Sequence, residues 1–165
     1  MDFLTRRLTL HPFTVDEARR VCECCPGDGD QWAEDYPLVD ELDPLRNFVK
    51  TYHNSDHEPF TLYQIRENIT GKAIGGAGFF GPPDADGVVT LGYGLVSSAR
   101  RRGYATEAVF GMLDIARASG ALAVAADTSV GNEESIHVLQ KTGFAEVDRT
   151  EADVFFRVVI SSQRD

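Results

Sequence analysis

The sequence has few cysteines and no long apolar segment, and each scarcity excludes a class of protein. Its three cysteines, Cys22, Cys24 and Cys25, crowd one short stretch, so we expect neither a disulfide framework nor a metal site. The longest apolar runs, such as residues 121–126, are far shorter than the ~18 residues that a membrane span requires. The N-terminus also lacks the apolar core of a signal peptide. We therefore expect a cytoplasmic protein without a membrane partner.

Positive charge is scarce as well. The chain has 16 lysines and arginines against 26 acidic residues, which gives a formal net charge of −10. Binding to nucleic acid requires a broad basic surface, so this balance argues against a nucleic-acid partner. The 165 residues are 42% hydrophobic and 25% charged, as is typical of a folded globular domain. A chain of this length buries roughly 70% of its unfolded surface, and we expect one domain over residues 1–165.

Six segments have the apolar pattern of β-strands: 4–10, 60–66, 72–80, 88–96, 121–128 and 154–160. Turn-rich connectors join the second, third and fourth of these segments, which predicts an antiparallel meander. Residues 121–128 are apolar up to a polar end, as expected of a central strand that is buried on both faces.

The first two helices are predicted from their starting signals. Thr14 and Glu17 have the spacing of a capping box, and the helix that they begin should end near Cys25. Asp43 and Pro44 should be the N-cap and first residue of the second helix. The apolar face of that helix is predicted to consist of Leu45, Phe48, Val49 and Tyr52.

The last two helices complete the expected fold. A long helix with its apolar face starting at Ala105 should end at Gly120, and a final helix should run from Asn132 to Gly143. The resulting order is β-α-α-β-β-β-α-β-α-β. It predicts a mixed α/β fold, with a central, mostly antiparallel sheet and helices on both faces.

The most informative segment runs from Gly92 to Ala108: a strand, a short turn, three arginines, a glycine and then a helix. The first amides of a helix have no intrahelical partners, so a helix that begins after a tight turn can bind an anion such as phosphate. Gly103 allows the backbone to approach that ligand closely. The neighbouring guanidinium groups of residues 100–102 add positive charge.

Two motifs in this half of the chain resemble those of the GNAT superfamily of N-acetyltransferases. RRRGYA at residues 100–105 is similar to the Q/R-x-x-G-x-G/A pyrophosphate loop of that superfamily. NEESIHVLQKTGF resembles its second motif through Asn132, Ser135, Gly143 and Phe144. The N-terminal RLTLHPFTVDEA is similar to the subgroup of ribosomal-protein N-terminal acetyltransferases. A P-loop would need Gly-Lys-Ser/Thr, and a dinucleotide-binding fingerprint would need three spaced glycines that open a βαβ unit. Neither pattern is present.

The resemblance implies a GNAT-like fold with acetyl-coenzyme A as co-substrate and no metal. It implies that the amides of residues 101–106 contact the pyrophosphate, that Asn132 lies near the pantetheine, and that the backbone of residues 95–96 pairs with the pantetheine arm. The implied cofactor-binding residues are Leu95, Val96, Arg100, Arg101, Arg102, Gly103, Tyr104, Ala105, Thr106, Asn132 and Ser135.

Candidate catalytic residues are fewer. Asp127 ends an apolar strand five residues before Asn132, where some ribosomal-protein acetyltransferases have an acidic base; strand termination or helix capping is the alternative role. Ser135 could hydrogen-bond the coenzyme A sulfur or belong to the helix cap. The sequence departs from the superfamily at Leu139, where many members have a tyrosine acid, and at Thr90, where related sequences often have an acidic residue.

The expected activity is acetyl transfer to a primary amine, on a protein N-terminus or a small molecule, by direct attack in a ternary complex. A non-catalytic acyl-coenzyme A binding module of the same fold is the alternative. An acetyltransferase for an antibiotic or metabolite would differ in the acceptor pocket expected from residues 26–59. The sequence leaves open whether the protein is a monomer or a homodimer.

Overall fold

A computed structural model describes residues 1–51 and 58–161, and within these ranges the chain forms eight strands and four α-helices. In chain order these are β1 (Phe3–Leu4), β2 (Leu8–Pro12), α1 (Val15–Cys22), α2 (Val39–Thr51), β3 (Leu62–Glu67), β4 (Ala73–Phe79), β5 (Val88–Leu95), α3 (Tyr104–Ala118), β6 (Ala123–Ser129), α4 (Glu133–Lys141), β7 (Ala145–Arg149) and β8 (Asp153–Val159). A short 3₁₀ turn, Ser97–Ala99, connects β5 to the arginine segment.

The strands form one sheet in the order β1-β2-β3-β4-β5-β6-β8-β7. Every neighbouring pair is antiparallel except β5 and β6, which run parallel. The predicted mixed, mostly antiparallel sheet is therefore confirmed. Its single parallel pair lies at the centre, where the α3 crossover joins β5 to β6.

Strand β2 shows that helices cover both faces of the sheet. Successive side chains on a strand point to opposite faces. The His11 ring lies 2.9 Å from the carboxylate of Glu17 on α1, whereas Leu10 is fully buried and faces Gly111 of α3. Helices α1 and α2 consequently lie on one face, and α3 lies on the other.

Two strands differ from the sequence-based expectation. The segment 4–10 is not one strand, because a turn in which the Thr5 hydroxyl accepts a hydrogen bond from the Leu8 amide separates β1 from β2. Strand β7 was not predicted. Every one of its residues is exposed, so no burial alternation marks it, and it forms an edge that pairs with β8 alone among the described residues.

The first two helices also end or begin elsewhere than predicted. Helix α1 stops at Cys22, and Cys24 adopts a left-handed φ of 52°. Helix α2 starts at Val39, so Asp43 is not its N-cap and Pro44 lies inside it. Pro44, the sixth residue of the helix, cannot donate a hydrogen bond to the carbonyl four residues earlier, yet the helix continues to Thr51. Tyr52 and residues 53–57 lie outside the described ranges.

The predicted helix ends are otherwise confirmed. The reciprocal hydrogen bonds of the Thr14 and Glu17 capping box are present, and the Asn132 side chain accepts a hydrogen bond from the Ser135 amide. Gly120 and Gly143 follow α3 and α4 with φ values of 91° and 99°. In residues 1–51 and 58–161, no helix combines the length and apolarity needed to cross a membrane.

Gly120→Ala should lower the free energy of unfolding by about 1–2 kcal/mol, because a side chain at left-handed φ meets the following carbonyl. A Cβ at Gly120 would meet no atom within 4 Å, so the cost comes from the backbone alone. Gly131→Ala is the matched control, since its Cβ also enters open space and its φ is not positive. Urea denaturation compares the two variants, and equal stability would contradict this explanation of the helix end.

Candidate functional site

The central feature of the sheet is that β5 and β6 separate after a short contact. In the described chain they pair only from Val88 to Thr90, against Ala123–Ala125. From residue 91 to Leu95, strand β5 keeps its antiparallel partner β4 but lies apart from β6. A cleft of about 340 Å³ opens there between β5, the start of α3 and the exposed face of α4. An unpaired strand edge provides amides and carbonyls that an extended ligand can use.

The start of α3 borders this cleft with unpartnered amides. Gly103 is the N-cap in a left-handed conformation, with φ of 78°, and no side chain caps the helix. The Glu107 amide, which binds the Gly103 carbonyl at 3.1 Å, makes the first helical hydrogen bond. The amides of residues 104–106 therefore have no intrahelical acceptors, and together with the helix dipole they favour an anion.

The loop before α3 is held from behind by Arg7 on the turn between β1 and β2. Its guanidinium donates to the Arg102 carbonyl at 2.8 Å and to Glu107 Oε1 at 2.9 Å. It also stacks over the Tyr104 ring, 4.6 Å from the centroid. These three contacts join the loop, the first turn of α3 and the edge of the sheet, so the amides are positioned before a ligand arrives.

Glu67 at the end of β3 provides a second anchor. Its Oε2 accepts a hydrogen bond from the Tyr104 hydroxyl at 2.7 Å and lies 3.3 Å from the Arg102 guanidinium. The hydrogen bond from Tyr104 and the nearby positive charge hold the pKa of Glu67 below its usual value. Tyr104 is buried, and its side chain serves this anchor, which leaves its backbone amide to face the cleft.

The rim of the cleft is positively charged although the whole chain is acidic. Arg100, Arg101 and Lys141 line it, and Glu134 is the one carboxylate among its described lining residues. Arg101 is 89% exposed and lies 3.9 Å from Glu134, so its guanidinium is available to a ligand. Arg100 instead donates to the Leu95 carbonyl at 3.0 Å. A local excess of cations beside free helix amides is suited to a diphosphate.

Helix α4 contributes a tyrosine–serine contact that the sequence did not predict. The Tyr93 hydroxyl, from β5, lies 2.9 Å from Ser135 Oγ, 42 residues away in the chain. Burial raises the pKa of Tyr93, and the hydrogen bond to Ser135 offsets part of that rise. Tyr93 therefore stays protonated at neutral pH and can donate a proton. No spacing rule in the sequence indicates this pair, because it depends on how α4 packs against the separated strand.

A second pocket lies on the opposite side of the sheet, beneath α2, and encloses about 210 Å³. We call it the α2 pocket; its floor is formed by Gly76, Gly78, Gly92 and Gly94 of β4 and β5. Tyr93 and Gly94 line both this pocket and the β5–β6 cleft, so the two spaces meet at the end of β5. A ligand in the cleft and a ligand in the pocket could therefore touch through the sheet.

Comparison with known proteins identifies this arrangement. Residues 7–145 match the model of the acetyltransferase (GNAT) domain. The chain belongs to the GNAT acetyltransferase family. The match includes both cleft motifs and the strands that separate, so the resemblance noted in the sequence is confirmed.

Individual GNAT relatives agree with this assignment. The chain is 29% identical over 92 residues to the uncharacterized N-acetyltransferase YjdG of Bacillus subtilis, and this match spans 55% of each chain, about half the length of the relative. Similar solved folds include a ribosomal-protein-S5-alanine acetyltransferase from Vibrio fischeri, at TM-score 0.72, 14% identity and 100% coverage of both chains. A RimL ribosomal L7/L12 α-N-protein acetyltransferase in complex with coenzyme A gives TM-score 0.73 at 13% identity, covering 99% of this chain and 100% of the other. These structures share the GNAT fold.

Nearly all of the predicted cofactor-binding residues lie at the cleft of this GNAT domain. Those that line it are Leu95, Arg100, Arg101, Gly103, Tyr104, Ala105, Thr106, Asn132 and Ser135. Arg102 does not, because its side chain turns back to Glu67. Val96 does not either: its amide donates to the Ile74 carbonyl and its carbonyl accepts from the Ala99 amide, so neither group is available to a pantetheine arm.

The predicted base, Asp127, lies away from both ligand spaces. It is exposed on β6 and lines a shallow groove with Thr90, Phe155 and Arg157, and it borders neither the cleft nor the α2 pocket. The catalytic role of Asp127 stays a prediction, without a contact to either space in this structure. Leu139 is fully buried in the core and offers no polar group to the cleft.

Arg101→Ala should weaken coenzyme A binding about three- to tenfold at low salt, because an exposed guanidinium beside the α3 amides is lost. The difference should shrink as salt rises, since exposed charge pairs are screened. Arg19→Ala on α1 is the control, because Arg19 is also exposed but lies outside the cleft lining. Isothermal titration calorimetry at several salt concentrations measures the affinity of each variant for coenzyme A. Equal affinities of both variants would exclude a role for Arg101.

Proposed function

We propose that this chain, acting as a single domain, is an acetyl-coenzyme A-dependent N-acetyltransferase that acetylates a primary amine by direct attack in a ternary complex. The observation that carries the proposal is the meeting of two ligand spaces at Tyr93 and Gly94. One space is suited to a phosphate-bearing chain and the other to an acceptor. The relative solved with coenzyme A supports the choice of thioester.

Successive parts of the cleft are suited to successive parts of acetyl-coenzyme A. The amides of residues 104–106 and the Arg101 guanidinium would hold the diphosphate. The open edge of β5 from residue 91 to Leu95, where only the last carbonyl is already bound by Arg100 among the contacts described above, would pair with the pantetheine arm as an added strand. The acetyl thioester then reaches the end of β5, next to Tyr93 and Ser135.

The reaction requires a neutral amine, although a primary amine with a pKa near 10 is mostly protonated at neutral pH. The lone pair of the deprotonated nitrogen attacks the acetyl carbonyl, a C–N bond forms, and the C–S bond breaks. The sulfur takes a proton from Tyr93, directly or through Ser135. After attack the nitrogen releases a proton to solvent, and Tyr93 takes up a proton from solvent in turn. The short contact between the two hydroxyls supports this relay.

The proposed function is tested by offering the purified chain acetyl-coenzyme A with a panel of amines and peptides, and by measuring free thiol. An enzyme releases thiol with at least one acceptor at a rate far above the hydrolysis background. A non-catalytic coenzyme A-binding module would bind the cofactor calorimetrically and release none. Failure to bind coenzyme A at all would exclude both functions.

Tyr93→Phe should lower kcat about 10²-fold and leave the affinity for coenzyme A nearly unchanged, because the removed hydroxyl acts on the leaving thiolate. Ser135→Ala should lower kcat by no more than Tyr93→Phe does. If the two hydroxyls act as one relay, the double variant is hardly slower than Tyr93→Phe alone. Losses that multiply would instead show that the two side chains act independently.

A further inference from the structure

The α2 pocket contains a half-buried glutamate, Glu41, one of whose carboxylate oxygens is fully buried, in an otherwise largely apolar space. Its walls include the side chains of Phe13, Leu38, Leu45, Leu62 and Phe80. Glu41, in the first turn of α2, projects over the glycine floor. Asp40 also borders the pocket, but it is exposed to solvent at the mouth. Burying a carboxylate among such walls is costly unless something compensates it.

The Glu41 carboxylate is half satisfied. Its Oε1 accepts a hydrogen bond from the Tyr36 hydroxyl at 3.2 Å, and Tyr36 is itself held by the Gln64 amide at 3.1 Å. Its Oε2 is buried and has no hydrogen-bond partner, the only such side-chain atom among the described residues. Buried polar atoms are nearly always paired in native proteins, so an unpaired carboxylate oxygen in a pocket indicates a missing cationic or hydrogen-bonding ligand.

The glycine floor brings this carboxylate close to the cleft. A Cβ at Gly76 would lie 2.6 Å from Glu41 Oε1, so the carboxylate rests directly on the β4 backbone. Gly76 is paired with Gly94 on β5, and directly opposite residues in an antiparallel pair lie about 4.5–5.5 Å apart. Gly94 lines the cleft as well as the pocket. Larger side chains at these two positions would separate the Glu41 carboxylate from the cleft.

We infer that Glu41 binds the ammonium group of the acceptor and removes its proton, and that the acceptor is a primary amine on a compact, apolar carbon skeleton. This inference rests on the proposed function and assigns the base to a residue that lines the acceptor pocket, which Asp127 does not. The ammonium transfers one proton to the Glu41 carboxylate, and the neutral nitrogen then attacks the thioester. Glu41 returns its proton to solvent as product leaves.

The acidity of Glu41 agrees with this assignment. Burial raises the pKa of Glu41 to about 7, and the Tyr36 hydrogen bond offsets part of the rise. A base with a pKa near the working pH transfers protons efficiently. The other ionisable residues that line the pocket are Asp40 on α2, Tyr63 on β3 and Tyr93 on β5, and the two tyrosine hydroxyls bind Pro59 and Ser135. Burial raises the pKa of both tyrosines, so neither ionises near neutral pH.

The size and lining of the pocket define the acceptor. A volume of about 210 Å³ with mainly aliphatic and aromatic walls suits a single branched alkyl or small aryl group. The single unpaired carboxylate oxygen matches one ammonium. Apart from Asp40, which is exposed, the pocket offers a second ammonium of a polyamine mainly apolar walls, and the peptide bond of a protein N-terminus would lose its hydrogen bonds to water there. A small monoamine avoids both costs.

The test compares Glu41→Gln with Asp43→Asn, a charge-matched control on the same helix whose carboxylate is 93% exposed and pairs with Arg46. The probes are isoamylamine and phenethylamine, set against spermidine and a short peptide with a free N-terminus. Glu41→Gln should lower kcat/KM for the monoamines at least 10²-fold. Asp43→Asn should match the unmodified chain. Coenzyme A affinity, measured calorimetrically, should be unchanged in both and shows that each variant is folded.

A pH profile separates proton removal from simple packing. In the unmodified chain kcat/KM should fall below about pH 7 as Glu41 becomes protonated, and this limb should be absent in Glu41→Gln. Glu41→Asp should recover part of the activity and the limb.

The outcomes distinguish the two levels of the proposal. Equal activity of Glu41→Gln and Asp43→Asn, or a preference for spermidine or the peptide over both monoamines, would overturn the inference and leave the acetyltransferase function intact. Binding of coenzyme A without thiol release from any acceptor would overturn the acetyltransferase function itself, and the role of Glu41 with it.

Discussion

The separation of β5 from β6 after Thr90 is the constraint on which the rest of the site depends. A parallel pair at the centre of a sheet is normally a continuous ladder, and breaking it exposes backbone groups that must find other partners. Here the exposed edge of β5 borders a cleft that is closed on its other sides by α3 and α4. The unpaired amides and carbonyls are therefore placed where an extended ligand can satisfy them.

The glycines of β4 and β5 are the second requirement, because the sheet must stay thin where the two ligand spaces meet. A Cβ at Gly94 would lie 2.5 Å from Leu38 Cδ2, and one at Gly76 would displace Glu41. Larger residues would fill the α2 pocket and push α2 away from the sheet. Glycine weakens a strand, so four glycines on one floor are a local cost in stability that opens space for a substrate.

The sequence predicted the parts of the site that depend on local chain geometry. The α3 loop could be located because a strand, three arginines, a glycine and a helix start occur within one short segment. Tyr93 and Glu41 could not be identified in that way. Tyr93 meets Ser135 only because α4 packs beside the separated β5, and Glu41 enters the pocket only because α2 begins at Val39 and continues through Pro44. Such contacts between distant segments have no signature in spacing or composition.

The arrangement of the two spaces also bears on the order of events. The cleft and the α2 pocket lie on opposite sides of the sheet and meet at Tyr93 and Gly94, so neither ligand has to leave before the other enters. An acetyl-enzyme would need a nucleophile at that meeting point. The cysteines lie at the end of α1 and line neither space, and burial raises the pKa of the Cys22 thiol, which lowers its thiolate fraction. The hydroxyls of Tyr93 and Ser135 do lie there, but they contact each other, and their proposed role is to protonate the leaving sulfur, which is why direct attack by the amine is the proposed route.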